Sequence, residues 1–491
     1  MNENHCRSGR STRLMVWSLE DGLNCFLFAL MMALPLLASS VARADDGSQS
    51  PVIPQRPAID FYRWQEDWSA LADPSLRTEP GDGLKYIPLA ADDPKRYLSF
   101  GITLRERFES NDAPLFGGVG SKPESYLLDR LELHVDAKVT DSTRIFMQIE
   151  SATAPGLENP NPAEVNKLDL RLLFADTKGK LGEGTYKIKA GRQEVAFDLQ
   201  RFVSVRDGPN VRQAYDAIWG DYEIESWRFT GFQSHPVQYQ NHTDFDDYSS
   251  SHLTYGGGRA QRRVFGSGEI SLTLSRFHQD NAHFLAASGD ETRNNVDVHY
   301  LGAAQGFDWD VEAMQQSGNV GSKSVDAWGA GSLTGYTFAS GVWRPRIGLQ
   351  FDGASGDHNL ADQHVGTFNP LFPNGYYVTL SGYTGYTNFI HLKPSLTLSP
   401  APGLKWMLAT GLLWRQTTQD AVYVQPDIPV PGTAGKAGRR SSTYGQVRVD
   451  WAASRSLSFA IEEDYYDVAQ VIRNAGGHNS NYLGLEAKWG W

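Results

Sequence analysis

Residues Tyr97 to Glu109 read Y-L-S-F-G-I-T-L-R-E-R-F-E, and the reading of this stretch decides the fold. Leu98, Phe100, Ile102 and Leu104 share one face of an extended chain; Ser99, Thr103, Arg105 and Arg107 share the other. A period of two is a strand's period, because successive side chains point to opposite sides of a sheet. The pattern returns from Leu127 in L-L-D-R-L-E-L-H-V-D-A-K-V, where Leu131, Leu133, Val135, Ala137 and Val139 oppose Arg130, Glu132, His134, Asp136 and Lys138. An antiparallel strand with lipid on one side and water on the other needs this alternation.

Further strands are expected near 143–152, 168–176, 185–193, 211–222, 225–235, 251–264, 268–282 and 293–304. The remainder fall near 307–317, 323–337, 343–354, 387–398, 403–417, 441–453, 456–468 and 481–491, about eighteen in all. Alternation is weak at 211–235 and 251–264. Links between strands alternate in length. Thr140–Ser142, Gly266–Gly268, Ala303–Gly306 and Pro400–Gly403 are short, whereas 110–124, 153–167, 194–210, 236–250, 355–386 and 418–440 are long. Gly318–Ser322 is a short link on the long side. Short periplasmic turns and long external loops are the habit of outer-membrane barrels. The fold class expected is therefore all-β, a transmembrane antiparallel β-barrel spanning 97–491.

Composition agrees. The chain of 491 residues holds 13 Trp, 21 Tyr, 23 Phe and 48 Gly, yet no run of apolar residues is long enough for a spanning helix. A soluble propeller or β-helix would show a fixed-period repeat, and none is present. An eighteen-stranded barrel is expected to enclose an aqueous lumen rather than a packed interior, which points to transport over catalysis.

The first residues resemble an export signal. Arg7, Arg10 and Arg13 precede the apolar run Cys25–Ala38, and Ala42-Arg43-Ala44 fits a cleavage site before Asp45. Glu20 and Asp21 are unusual there, so the start codon could lie elsewhere. Segment 1–44 is read as a signal peptide, which implies a Gram-negative cell and an outer-membrane destination. Both cysteines, Cys6 and Cys25, lie within it, so the mature chain has no thiol nucleophile and no cysteine metal ligand. Removing four arginines against Glu3, Glu20 and Asp21 shifts the net charge from −12 to −13, which excludes a nucleic-acid binder by composition. Segment 45–96 is too short for its own core. It should lie in the periplasmic mouth or tuck its aromatics into the lumen.

Inward positions of the early strands gather cations: Arg105, Arg107, Arg130, Lys138, Arg171, Lys187, Lys189 and Arg192. Arg201, Arg206 and Arg212 follow in D-L-Q-R-F-V-S-V-R-D-G-P-N-V-R, and Glu109, Glu132, Asp136, Asp169, Glu194, Asp207 and Asp216 are interspersed. Guanidinium forks on a rigid wall suit carboxylates, and a cationic ring favours anions. The plainer reading is a wet wall cross-paired in Arg–carboxylate ladders. Segment 194–210 is apolar enough at Val195, Phe197, Leu199, Phe202 and Val203 to fold inward as a constriction. Asp244–Asp247 (D-F-D-D) could bind Ca²⁺ or divalents bridging lipopolysaccharide, though a solvated acidic loop is the plainer account. His134 reads as a hydrogen-bonding lumen residue. No catalytic motif, metal-ligand spacing or cofactor signature is present, so no enzyme, cofactor or metal is expected.

Several blocks resemble the alginate-export family of outer-membrane proteins: Arg96–Glu109, A-G-R-Q-E (Ala190–Glu194), Asp198–Gln213 and T-F-N-P-L-F-P-N-G-Y-Y (Thr367–Tyr377). Gly191-Arg192-Gln193 is the most recognisable piece. The resemblance implies an eighteen-stranded monomeric barrel that exports a polyuronate, an anionic polysaccharide, through an arginine-rich lumen, with periplasmic partner proteins. Uptake of small anions or carbohydrates by a porin is the alternative.

The chain closes on N-Y-L-G-L-E-A-K-W-G-W (Asn481–Trp491). Trp489 and Trp491 are expected at the lipid-facing periplasmic rim, Lys488 and Glu486 in the lumen. Pairing with the strand at Tyr97 would remove both edges. A terminal aromatic strand is also what barrel-insertion machinery reads.

Overall fold

The computed structural model describes residues 55–118, 121–264 and 267–491. The signal-peptide expectation lies outside them. Numbered in chain order, the strands begin with the two-residue β1 (Ile87–Pro88), then β2 (Tyr97–Asn111), β3 (Glu124–Lys138), β4 (Thr143–Thr153), β5 (Asn166–Leu181) and β6 (Gly184–Gln193). Next come β7 (Tyr215–Ile224), β8 (Trp227–Pro236), β9 (Leu253–Val264), β10 (Gly268–His283), β11 (Ser288–Ala304) and β12 (Phe307–Val320). β13 (Lys323–Thr337), β14 (Arg346–Ala354), the short β15 (His364–Val365), β16 (Phe389–Ala401) and β17 (Leu404–Trp414) follow. A small hairpin of β18 (Tyr423–Val424) and β19 (Ile428–Pro429) precedes β20 (Arg440–Ala452), β21 (Leu457–Val468) and β22 (Ser480–Gly490).

Setting aside the four two-residue strands, eighteen remain, each antiparallel to its neighbours. β22 returns to β2, with Thr103 opposite Gly490 and Asn111 opposite Tyr482, so the sheet has no edge. Beyond the last strand, Ile102 and Trp491 exchange backbone hydrogen bonds of 2.7 and 2.9 Å. The expected strands are all found. Several bounds move: the segments expected from 211, 293 and 343 start at Tyr215, Ser288 and Arg346, and those expected to end at 176, 317 and 417 end at Leu181, Val320 and Trp414.

Burial is inverted relative to a soluble protein. In β2 the odd-numbered residues, including Arg105 and Arg107, are buried, while Leu98, Phe100, Ile102 and Leu104 are partly exposed and Phe108 more so. Leu131, Leu133, Met147, Ile218, Leu272, Ile347, Leu408 and Ile461 are likewise exposed on their strands. Such an apolar belt is a hazard in water and a match for hydrocarbon, where each strand's polar backbone must find partners within the sheet. Trp406, Trp451, Phe459 and Trp489 are exposed close to the short turns, where an aromatic girdle belongs.

The expectation of an open aqueous lumen is corrected. Three long loops, 194–214, 355–388 and 415–439, turn inward and pack on inward aromatics of the wall. Phe202, Phe368, Phe372, Tyr386 and Val424 from the loops share one buried cluster with Tyr215, Tyr255, Phe277, Phe389, Tyr444 and Tyr466. The loops carry enough apolar area to fill the external half of the barrel as a core. On the periplasmic side, 55–96 enters the mouth: Trp68, Leu71, Tyr86 and Tyr97 form a separate buried cluster, and Phe61–Trp64 reaches further in.

Candidate functional site

The loop 194–214 leaves β6, crosses the lumen and returns to β7. At its far point Arg201 is fully buried: its guanidinium pairs with Glu312 on β12, lies 3.4 Å from Asp310 and 3.8 Å from Asp352 on β14, and donates to Tyr377 Oη at 2.8 Å. Next to it Asp198 pairs with Arg259 at 2.5 Å and His299 at 2.8 Å. Burial pushes the Asp198 carboxyl up, and Arg259 and His299 more than reverse this, so it is held below the usual carboxylate range. The expected constriction is present, and it is anchored to the opposite wall.

On the near wall the arginines act on the loop's backbone. Arg105 donates to the Asp207 carbonyl at 2.7 Å and the Pro209 carbonyl at 3.1 Å, Arg107 to the Gly208 carbonyl at 2.6 Å, and Arg130 to the Asn210 carbonyl at 3.1 Å. Asn210 returns the contact by donating to the carbonyls of Asp129, Thr153 and Glu164. Arg130 also pairs with Asp207 at 2.5 Å. Arg171 and Arg212 then stand among Glu132, Glu150 and Glu194, with Arg171–Glu194 at 2.5 Å and Arg212–Glu194 at 2.7 Å. Burial raises Asp207, and Arg130, Lys488, Arg212 and Arg105 overcome it, leaving the carboxyl well below its ordinary range. Glu194 is lowered by the same contest, with Arg212 and Arg171 as the cations. Among the residues singled out from sequence, Arg105, Arg107, Arg130, Arg171, Arg212, Glu132, Glu194 and Asp207 are thus one network. Its immediate work is to clamp the loop, which is the cross-paired reading of those charges.

Others stand apart. Lys138 lies 3.5 Å from Asp136 and Lys187 3.8 Å from Asp176, both beside the open part of the lumen. Glu109, by contrast, joins the network, pairing with Arg107 at 2.6 Å and accepting from Tyr126. Arg206, on the inturned loop, makes no ion pair among the described residues and has only a 3.4 Å bond to the Leu371 carbonyl. Lys189 and Lys488 make neither ion pair nor hydrogen bond through their ammonium groups among the described residues. Asp297 and Asp464 also lack a cation, and each lies against another carboxylate, Glu312 and Glu462, in the packed half.

Two placements are corrected. Arg192 is not in the lumenal network: it is in register with the exposed Leu173 and pairs with Asp216 at 2.9 Å beneath the loop around Asp247. Its strand parity is opposite to that of Lys187 and Lys189. Trp491 does not stand at the lipid rim with Trp489. Its ring lies over Lys85 at 4.6 Å, and its Nε1 donates to the Pro80 carbonyl, because the N-terminal segment covers the end of β22. At D-F-D-D, Asp246 and Asp247 approach Asp169, but all three accept backbone N–H bonds, as a folded external loop would. Lys488 faces inward as its parity predicts, and Arg144 and Arg259, which the sequence reading does not single out, also fall at inward positions of their strands, where parity alone finds them.

Among the described residues there is a cavity of about 680 Å³ on the periplasmic side. Lys138, Arg144, Lys187, Lys189 and Arg228 line it with Asp176, Asp198 and Asp221, and Trp64 and Trp219 add aromatic walls. Leu199 of the crossing loop closes it above.

The model of the alginate export family matches residues 96–486. The chain belongs to the alginate export family. Among solved structures, this family member is similar to Pseudomonas aeruginosa OccK2 (OpdF) in complex with glucuronate, at 11% identity over 80% of this chain and 97% of that one, with a TM-score of 0.51. It is similar to P. aeruginosa OccK3 (OpdO), at 10% identity over 80% and 95% with a TM-score of 0.53. Similarity to P. aeruginosa OpdK with vanillate is 11% over 80% and 99%, with a TM-score of 0.51. At these identities the likeness establishes the fold. No curated protein matches the chain. Family and fold together make this alginate export family member an outer-membrane channel, a transporter type rather than an enzyme type.

Proposed function

We propose that the barrel conducts a carboxylated polysaccharide, an alginate-like polyuronate, outward across the outer membrane. The observation that carries this reading is the set of lumenal cations with no ion pair among the described residues, Lys189, Lys488 and Arg206, inside a chain whose formal net charge is −12. Unpaired cations inside an acidic protein give anions a favourable place to bind within the lumen. Family membership supplies the polymer class. Acids interleaved with the cations weaken each hold, so that a polymer can advance.

Planar-bilayer recording tests it. The channel should favour anions, and mannuronate or guluronate oligomers should block its current. Arg206→Glu should reduce both effects without unfolding the barrel, since the guanidinium makes only one long hydrogen bond and a 5.6 Å contact with the Phe372 ring. Cation selectivity with no block by uronate would refute the proposal. Uptake of small anions or carbohydrates is the second reading, and one observation favours it: the similar solved barrels include one bound to glucuronate, itself a hexuronate. A deletion strain that loses uptake while secreting polysaccharide normally would select that reading. Lipid and lipopolysaccharide contacts on the apolar belt and periplasmic export partners complete the proposal.

A further inference from the structure

Carboxylates pair most lumenal cations, but the strap Phe61–Trp64 covers four in a different way. The Phe61 ring lies 4.6 Å from the Arg212 guanidinium and 5.1 Å from the Lys488 ammonium. The Trp64 ring lies 4.1 Å from Lys189 and 5.4 Å from Lys187, two residues of one face of β6. Trp64 Nε1 donates to Glu194 at 2.6 Å, and Glu194 also holds Arg171 and Arg212, so both rings sit on one connected patch. Two rings therefore cover four basic side chains: Arg212 and Lys187, which also face carboxylates, and Lys189 and Lys488, which make no ion pair among the described residues.

We propose that this patch is a carboxylate-binding site for the sugar chain, and that the strap is its displaceable occupant, a plug that the cargo removes. This rests on reading the lumen as a path for carboxylated sugars. A ring face attracts a cation through its quadrupole, whereas a carboxylate meets it with full charge and charge-assisted hydrogen bonds, roughly twice as strong as neutral ones. A polymer presents many carboxylates on one chain, so once the first has bound, the next engages its cation at high effective concentration. Lys189 and Lys488 have no carboxylate within ion-pair distance among the described residues to give up. Arg63 fixes where the strap rests: it donates to the Ile102 carbonyl and Thr103 Oγ1, both at 2.9 Å, and to the Trp491 carbonyl at 2.8 Å. Displacing the rings thus exposes Arg63.

Two measurements on the full-length barrel test the proposal. The Phe61→Ala/Trp64→Ala double variant, shown to be folded by its heat-modifiable gel mobility, should have a higher single-channel conductance than wild type before any sugar is added. In the wild-type protein, a guluronate hexamer should accelerate tryptic cleavage after Arg63 by roughly ten-fold, while a neutral glucose hexamer should not. Unchanged conductance in the double variant, or an Arg63 site that stays protected at saturating hexauronate, overturns the proposal. Anion selectivity is read separately from the reversal potential, so a failed plug and a failed anion channel give different results.

Discussion

At the scale of single residues, Arg201 stands out because it stands between three buried acids. Removing it leaves Glu312 without its ion-pair partner beside Asp310 and Asp352, which keep only His299 and His391 as basic partners. Arg201→Ala should cost about 3–5 kcal/mol, the usual result of orphaning buried charges, measured as a lower urea midpoint of the detergent-solubilised barrel. Gly191 matters for a different reason. Its φ of +122° is open to glycine, and a Cβ there would run into the Leu173 carbonyl. Gly191→Ala should destabilise by about 1–3 kcal/mol in the same titration. Lys85 offers a pH test. Burial, then Arg63, pulls its ammonium from 10.5 to about 7, with Glu66 and Asp82 opposing and Arg56 assisting. The docked segment favours the neutral amine and the undocked one the charged form, so docking gains as pH rises from about 7 towards 10.5 and is weakest below 7. Proteolysis of the segment should therefore be faster at pH 6 than at pH 9.

At the scale of elements, strand parity was legible and loop destination was only partly so. A period of two needs no partner to be recognised, which is why even β3 and β22 could be assigned faces from their own residues. Parity fails where the backbone departs from it. In β5, Leu172 faces Gln148 and Leu170 faces Ile149, so Arg171 is the extra residue of a bulge. Arg192 was counted with Lys189 although it sits an odd number of residues away. The apolar side chains of 194–210 announced an inward fold. What they could not announce was that Arg105, Arg107 and Arg130 would bind the loop's carbonyls, because those partners come from about a hundred residues away in sequence. Cutting the crossing loop back to a short turn should widen the pore, raising conductance and lowering anion selectivity together, because the clamp and the constriction are one unit.

For the molecule as a whole, the inverted burial makes a prediction of its own. Leu131→Arg, on the exposed face of β3, should cost about 2–4 kcal/mol in lipid if its depth is near the midplane. Urea titration in vesicles checks this, and the penalty should shrink in detergent. Hydropathy alone would not have separated this face from the lumen, since the chain has no long apolar run; the spacing of its apolar residues did.

Arg63 reaches the carbonyls of Ile102 in β2 and of Trp491 just past the end of β22, the two strands that meet where the cylinder closes. Those strands are the first and the last of the barrel to be synthesised, so their meeting is a contact of the highest order in the chain and a late event in assembly. Arg63 can find both acceptors only after that meeting. Its seat is thus a completion signal written in geometry: an unfinished cylinder has nowhere to lodge the strap, and a finished one is stoppered as it forms. The cell would then never carry a long-lived hole during biogenesis, and the stopper would owe its timing to topology rather than to any separate regulator.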